Sequence, residues 1–119
     1  MIGLVLYLVS KILKSLLSPI AHIWAYLSLT RKEHNEYLKQ LAIAEDCYGN
    51  RLLAPILNKI AIKKNAYPFG NIKETISSVL GKNKRDNTLL FVGKIIDWIL
   101  NIFDKNHSIK SIDDRVNNK

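Results

Sequence analysis

Residues 1–17 read MIGLVLYLVSKILKSLL, and Ile2, Val5, Leu6, Val9, Ile12, Leu13, Leu16 and Leu17 recur there at spacings of three and four. A helix turns once in about 3.6 residues, so this spacing stacks the apolar side chains on one face. The opposite face carries Tyr7, Lys11, Lys14 and Ser18, with Leu4 and Leu8 intruding on it. A broad apolar face opposite two lysines is the pattern of a helix in the lipid headgroup region. There the lysine stems lie over apolar surface and the ammonium groups reach phosphate.

Ser18 and Pro19 read as an N-cap followed by proline at the first helical position. They predict a bend and a second helix through Ile20, Ile23, Trp24, Leu27 and Leu29. Trp24 and Tyr26 suit the aromatic belt of a membrane interface. The residues expected to contact lipid are Val5, Leu6, Val9, Lys11, Leu13, Lys14, Leu16, Leu17, Trp24 and Tyr26. A span needs about 20 mostly apolar residues. Ile12 to Leu29 approaches that length, but Lys14, Pro19 and His22 fall inside it. Three arrangements stay open: an interfacial or re-entrant hairpin, a true span, and a soluble hairpin packed on the rest of the chain. A cleaved signal peptide fits poorly, because no basic residue precedes the apolar run and no clear small-residue site closes it. The segment is expected to stay on the mature protein.

Beyond it, Thr30 and Glu33 form a capping box, predicting a helix through Tyr37, Leu38, Leu41 and Ala44 towards Tyr48. Its outer face is charged by Arg31, Lys32, Glu36 and Lys39, so positive charge flanks both ends of the apolar stretch and no membrane orientation follows. Gly49 and Pro55 predict an interruption and a separate bent helix over Leu52 to Ile62. Asn65 to Gly70 reads as a loop. Asn71 and Glu74 then suggest caps for a helix from Ile72 to Leu80, ended by Gly81 in a left-handed C-cap. Lys82 to Asn87 reads as a solvated basic turn before a last helix, Leu89 to Phe103, in which Lys94 and Asp97 could pair. From Asp113 the chain is polar and expected to fray. The fold class expected is all-α, a small bundle of about five helices with an amphipathic, membrane-associated N-terminal segment. Its parts are residues 1–29, a small helical domain over 30–112, and a polar tail over 113–119.

A chain of 119 residues allows one compact domain, or a membrane segment with a small domain attached. Its net charge of +8 points to an anionic partner, either the face of a bilayer or nucleic acid. For nucleic acid the basic stretch Lys82 to Arg85 and the lysines near 63 would track phosphates, but no basic, aromatic-rich face accompanies them. The single cysteine, Cys47, excludes an intramolecular disulfide and is expected to be a buried, inert thiol. There is no phosphate-binding glycine loop, paired-cysteine zinc spacing, zincin helix or glycine-flanked serine, so neither cofactor nor metal is expected. His22, His34 and His107 lack metal-ligand spacing, and each taken singly reads as a structural or surface histidine.

Four segments occur in a particular order: AIAEDCYGNRLL from Ala42, KETISSVLGK from Lys73, IIDW from Ile95, and NHS from Asn106. In this they resemble a family of small uncharacterised proteins encoded by tailed phages and prophages. The resemblance runs from Ala42 to about Ile112, and its matching positions are Asp46, Asn50, Glu74, Thr75, Ser77, Ser78 and His107. Lys73 stands where that family has an acidic residue, Val79 where it often has arginine, and Ser108 where it has cysteine after the histidine. A mechanism using that thiol as nucleophile would fail here, because a serine needs a stronger base and an oxyanion hole. The N-terminal segment lies outside the resemblance.

Asp46 and Asn50 are four apart on one helical face, and Thr75 and Ser78 share another. Packed together with His107, they would form a pocket able to bind a lipid headgroup or another polar ligand, or to hydrolyse one with His107 as base. The plainer reading gives them structural work: Asp46 and Asn50 tie down the break at Gly49, Glu74 caps a helix, and the serines satisfy backbone groups. The expectation that follows first is a non-enzymatic, membrane-associated phage or prophage protein, at the inner membrane of a bacterial host or in the virion. It would act at the host envelope or with lytic or injected components. Its partners would be anionic lipids and other phage or host envelope proteins, with oligomers allowed. The alternatives are a membrane-bound hydrolase or transferase using Asp46, Ser77, Ser78 and His107, and, last, a basic nucleic-acid binder.

Overall fold

The computed structural model describes residues 1–117, and the helices run α1 (Ile2–Ser28), α2 (Arg31–Ile60), α3 (Ile76–Arg85), α4 (Phe91–Phe103) and α5 (His107–Lys110). Among the described residues the only β pairing is an isolated antiparallel bridge between Ile62 and Leu89. The class is all-α, as the periodicity predicts. Chain contacts divide the protein into two compact units, Met1–Gln40 and the rest from Leu41, so the boundary falls inside α2.

In the first unit, α1 is one unbroken helix of 27 residues. The second helix expected to start at Ser18 and Pro19 is not separate, because α1 runs through both. Proline removes one amide donor and crowds the preceding turn, yet long apolar helix on both sides carries the chain through. Of all its residues only Ala25 is buried. The capping box forms as read: the Glu33 amide donates to Thr30 Oγ1 at 3.2 Å and the Thr30 amide to Glu33 Oε1 at 3.1 Å. His22 meets the Tyr37 ring edge-on at 6.1 Å between centroids, and Tyr26 meets His34 at 5.8 Å. These two histidines therefore serve ring packing in the α1–α2 turn.

In the second unit the core gathers Ala54, Leu57, Ala61, Ile62, Ala66, Tyr67, Phe69, Val79, Leu80 and Leu89. Four expectations are corrected here. Helix α2 does not break at Gly49 or Pro55 but continues to Ile60. At Gly49 a Cβ would stand 3.1 Å from Ile76 Cδ1, so the glycine admits the start of α3 rather than ending a helix. Helix α3 begins at Ile76, capped by Thr75 instead of Asn71 or Glu74, with the Ser78 amide donating to Thr75 Oγ1 at 3.0 Å. It passes through Gly81 to Arg85, and Lys82 and Asn83, read as part of a solvated turn, lie in its buried middle. The reason is tertiary. Asn83 Nδ2 donates to the Tyr67 and Val79 carbonyls at 2.8 and 2.9 Å, so burial leaves this amide satisfied.

Asparagines also bind the long connection between α2 and α3. Asn58 pairs with both backbone groups of Phe69, and Asn50 Nδ2 donates to the Asn71 and Glu74 carbonyls while its Oδ1 accepts from the Gly70 amide. A primary amide copies the peptide group, so it can replace the helix or strand partner that a loop lacks. The expected pair of Lys94 with Asp97 gives way to another: Asp97 pairs with Lys84 at 2.9 Å and accepts from Ser108. The tail read as frayed is held as far as Val116, whose carbonyl accepts from Lys82 Nζ at 2.6 Å. Residues 118 and 119 of that tail lie outside the described residues.

Candidate functional site

A cleft of about 660 Å³ opens on the second unit, lined by Ala42, Ile43, Asp46, Cys47, Lys73, Thr75, Ser77, His107, Ser111 and Arg115 among others. Across its floor runs a chain of polar contacts. Asp104 Oδ2 lies 3.0 Å from His107 Nδ1, His107 Nε2 lies 3.2 Å from Ser77 Oγ, and Ser77 Oγ donates to Asp46 Oδ2 at 3.0 Å. Three helices and the C-cap of α4, Asp104, supply it. Asp46 projects from α2 and its Oδ1 accepts the Ile76 amide at 2.7 Å, which fixes the first turn of α3 beside it. Ser77 sits in that turn, and His107 opens α5 behind Asn106, which adopts a left-handed conformation. Lys110 donates to the other oxygen of Asp104, and these hydrogen bonds, from Lys110 first and His107 next, hold the Asp104 carboxyl below its usual value.

The residues singled out in the sequence therefore separate into two groups. Asp46, Ser77 and His107 meet in the cleft, with Thr75 on its wall. Asn50, Glu74 and Ser78 lie beneath it in the fold's interior. Glu74, 1 % exposed, accepts from Tyr67 Oη at 2.7 Å and Ser78 Oγ at 2.6 Å and pairs with Lys82 Nζ at 2.7 Å. Ser78 Oγ in turn accepts the Asp113 amide at 2.9 Å. Such a closed network satisfies its own charges and leaves Ser78 without access to a substrate. Ser108, which follows His107, is fully buried and donates to Asp97.

Sequence reading missed Asp104, Lys82 and Tyr67. Asp104 was within reach, since it precedes His107 by three residues and such a pair commonly meets. Lys82 and Tyr67 carried no local signal of their pairing. Cys47 lines the cleft half-buried, and its thiol is pushed up first by burial and then by the negative charges of Asp46, Glu74 and Asp113. A thiol held protonated is a poor nucleophile, so Cys47 adds little chemistry. Among the described residues no group of three metal-ligating side chains occurs.

The serine, imidazole and carboxylate stand in the order that nucleophilic catalysis uses. Two features oppose it. The Ile76 and Ser78 amides are already committed to Asp46 Oδ1 and Thr75 Oγ1, so these first-turn donors are not free to receive an oxyanion. The Asp46 carboxylate also lies against the hydroxyl, where developing negative charge would be repelled. As arranged, the cleft offers hydroxyl, imidazole and carboxylate groups for binding a polar ligand, with Lys73 and Arg115 supplying cations at its edge. No protein-family model matches the chain, and neither a curated protein nor a solved structure matches it.

Proposed function

We propose that this chain is a small membrane-associated protein of non-enzymatic role, held on anionic lipid by α1 and presenting its helical domain at the bilayer surface. The observation that carries the reading is the uncovered apolar face of α1, in which Val5, Leu6, Val9, Leu13, Leu16 and Leu17 are all exposed. A 27-residue helix is about 40 Å long, more than the roughly 30 Å hydrocarbon core. Lys11 and Lys14 suit headgroup phosphates, and Trp24 and Tyr26 the interface. The resemblance over Ala42 to Ile112 adds the setting of a tailed phage or prophage protein acting at the host envelope or with lytic or injected components.

Flotation with phosphatidylglycerol-containing vesicles tests it. The full chain is expected to float and to stay bound at high salt. Val9→Glu with Leu16→Glu, two exposed positions on the apolar face, is expected to lower partitioning at least a hundredfold. Each lost side chain removes about 1.5 kcal/mol or more of burial, and a factor of ten corresponds to about 1.4 kcal/mol. Equal flotation of the variant would end the reading.

The line from Asp104 through His107 to Ser77 favours a second reading, a membrane-bound hydrolase with Ser77 as nucleophile, His107 as general base and Asp104 orienting the ring. It predicts that turnover of an activated ester falls at least a hundredfold in Ser77→Ala and in His107→Ala while flotation is unchanged. Equal turnover in Ser77→Ala excludes it.

A further inference from the structure

Helix α4 is apolar on both sides. Inward, Gly93 lies so close to the turn that follows α2 that a Cβ there would stand 2.3 Å from the Ala61 carbonyl oxygen, Asp97 is pinned by Lys84 and Ser108, and Ile96 and Leu100 pack on the core. Outward, Phe91, Ile95, Trp98, Ile99, Ile102 and Phe103 are exposed, with Phe91 at 76 %, Trp98 at 63 % and Phe103 at 85 %. At about 100° per residue these six fall within an arc of about 140°, so they form one continuous stripe. The inner contacts are already made, so the helix cannot roll to bury it. At one edge of the stripe a hollow of about 350 Å³ is lined by Lys63, Lys84 and Lys94, with Leu89 and Asp97.

We propose that the outer face of α4 is a second lipid-binding surface, with its aromatic stripe in the bilayer interface and the lysine-lined hollow against headgroup phosphate. The proposal rests on the membrane reading of α1 and extends it to the folded domain. Charge complementarity selects the occupant. Lys84 is already paired with Asp97, but an anionic interface neutralises Lys63 and Lys94 beside the stripe, whereas a second copy of this chain, at a net charge of +8, brings like charge against like. Tryptophan and phenylalanine beside lysine are the side chains that an interfacial surface uses. The consequence is that the folded domain carries a lipid contact of its own, in addition to that of α1.

The two tryptophans, Trp24 in α1 and Trp98 in α4, allow the two contacts to be read separately in the full chain. Trp24→Phe leaves Trp98 as the reporter, and Trp98→Phe leaves Trp24; both sites are exposed, so neither change disturbs the fold. With phosphatidylglycerol-containing vesicles whose acyl chains are brominated, the emission of Trp98 is expected to shift to shorter wavelength and fall at least twofold. Quenching of Trp24 with Trp98 unchanged would overturn the proposal and leave the α1 reading standing. If neither is quenched, both fail. Trp98 that is shielded from aqueous iodide yet untouched by bromine would place protein on the stripe, which also overturns it.

Discussion

Lys82→Met is expected to destabilise the helical domain by about 3–5 kcal/mol, the usual cost of leaving one partner of a buried ion pair behind. The Glu74 carboxylate would be stranded in a site where the lysine now sits 2.7 Å away, with only the Tyr67 and Ser78 hydroxyls to compensate. The change also takes one of two donors from the Val116 carbonyl, leaving the Tyr67 hydroxyl at 3.2 Å, and removes the ammonium that lies 4.3 Å from the Tyr67 ring centre. For a domain of this size each kcal/mol shifts the midpoint by about 4–8 °C, so thermal unfolding followed by circular dichroism should move by more than about 12 °C. The double change Glu74→Gln with Lys82→Met should recover much of the loss, because it removes the stranded charge. An unchanged midpoint in the single variant would mean that the network contributes nothing to stability.

The same pair sets a pH dependence. Burial pulls the Lys82 amine down, but its hydrogen bonds to Glu74 and Tyr67 outweigh it and leave the amine above its ordinary 10.5. A folded value above the unfolded one means that this contribution is complete below the ordinary value and is lost as pH rises through the folded one. Stability should therefore fall at strongly alkaline pH, and the fall should disappear in Lys82→Met. Asp104, lowered first by Lys110, and Asp113, lowered first by Arg115, act in the opposite direction, contributing above their ordinary 3.8 and ceasing to as pH drops below it.

Gly81→Ala is expected to be the second large change, and its sign is diagnostic. In an open helix the substitution stabilises by up to about 1 kcal/mol. Here the new Cβ would lie 2.1 Å from the Ser108 carbonyl oxygen and 2.7 Å from Ile112 Cγ1, and the first of these is backbone that cannot turn aside. Helix α5 must move away from α3, at an expected net cost of about 3 kcal/mol, the upper end for overpacking. Because α5 carries His107, the contact with Ser77 should open as well. Urea unfolding reads the first effect, and the His107 ring resonances, compared with those of Ser77→Ala, read the second. A more stable Gly81→Ala protein would show that α3 and α5 are not packed as described.

How legible the candidate site was depends on the distance of each partner along the chain. Asp104 and His107 are three residues apart and local reasoning could pair them. Ser77 stands 30 residues from His107 and 31 from Asp46, so only the packing of α2, α3 and α5 makes them neighbours. Glu74 looked like a helix cap because a carboxylate near a helix start usually is one. It is an interior charge because Lys82, two turns on, and Tyr67, from the preceding loop, enclose it.

By itself the sequence determined the helical class, the uninterrupted apolar face of residues 1–17, the Thr30–Glu33 capping box, the loop at Asn65 to Gly70 and the position of α4. Each of these rests on interactions within a few residues, where periodicity and capping chemistry act directly. Tertiary structure decided the rest. Pro19, Gly49, Pro55 and Gly81 do not end helices, because the local penalty of about 1 kcal/mol for glycine and about 3 for proline is smaller than what long flanking helix and close packing return. Lys82 and Asn83 are inside, because hydrogen-bond partners up to 34 residues away replace the water that such side chains otherwise require.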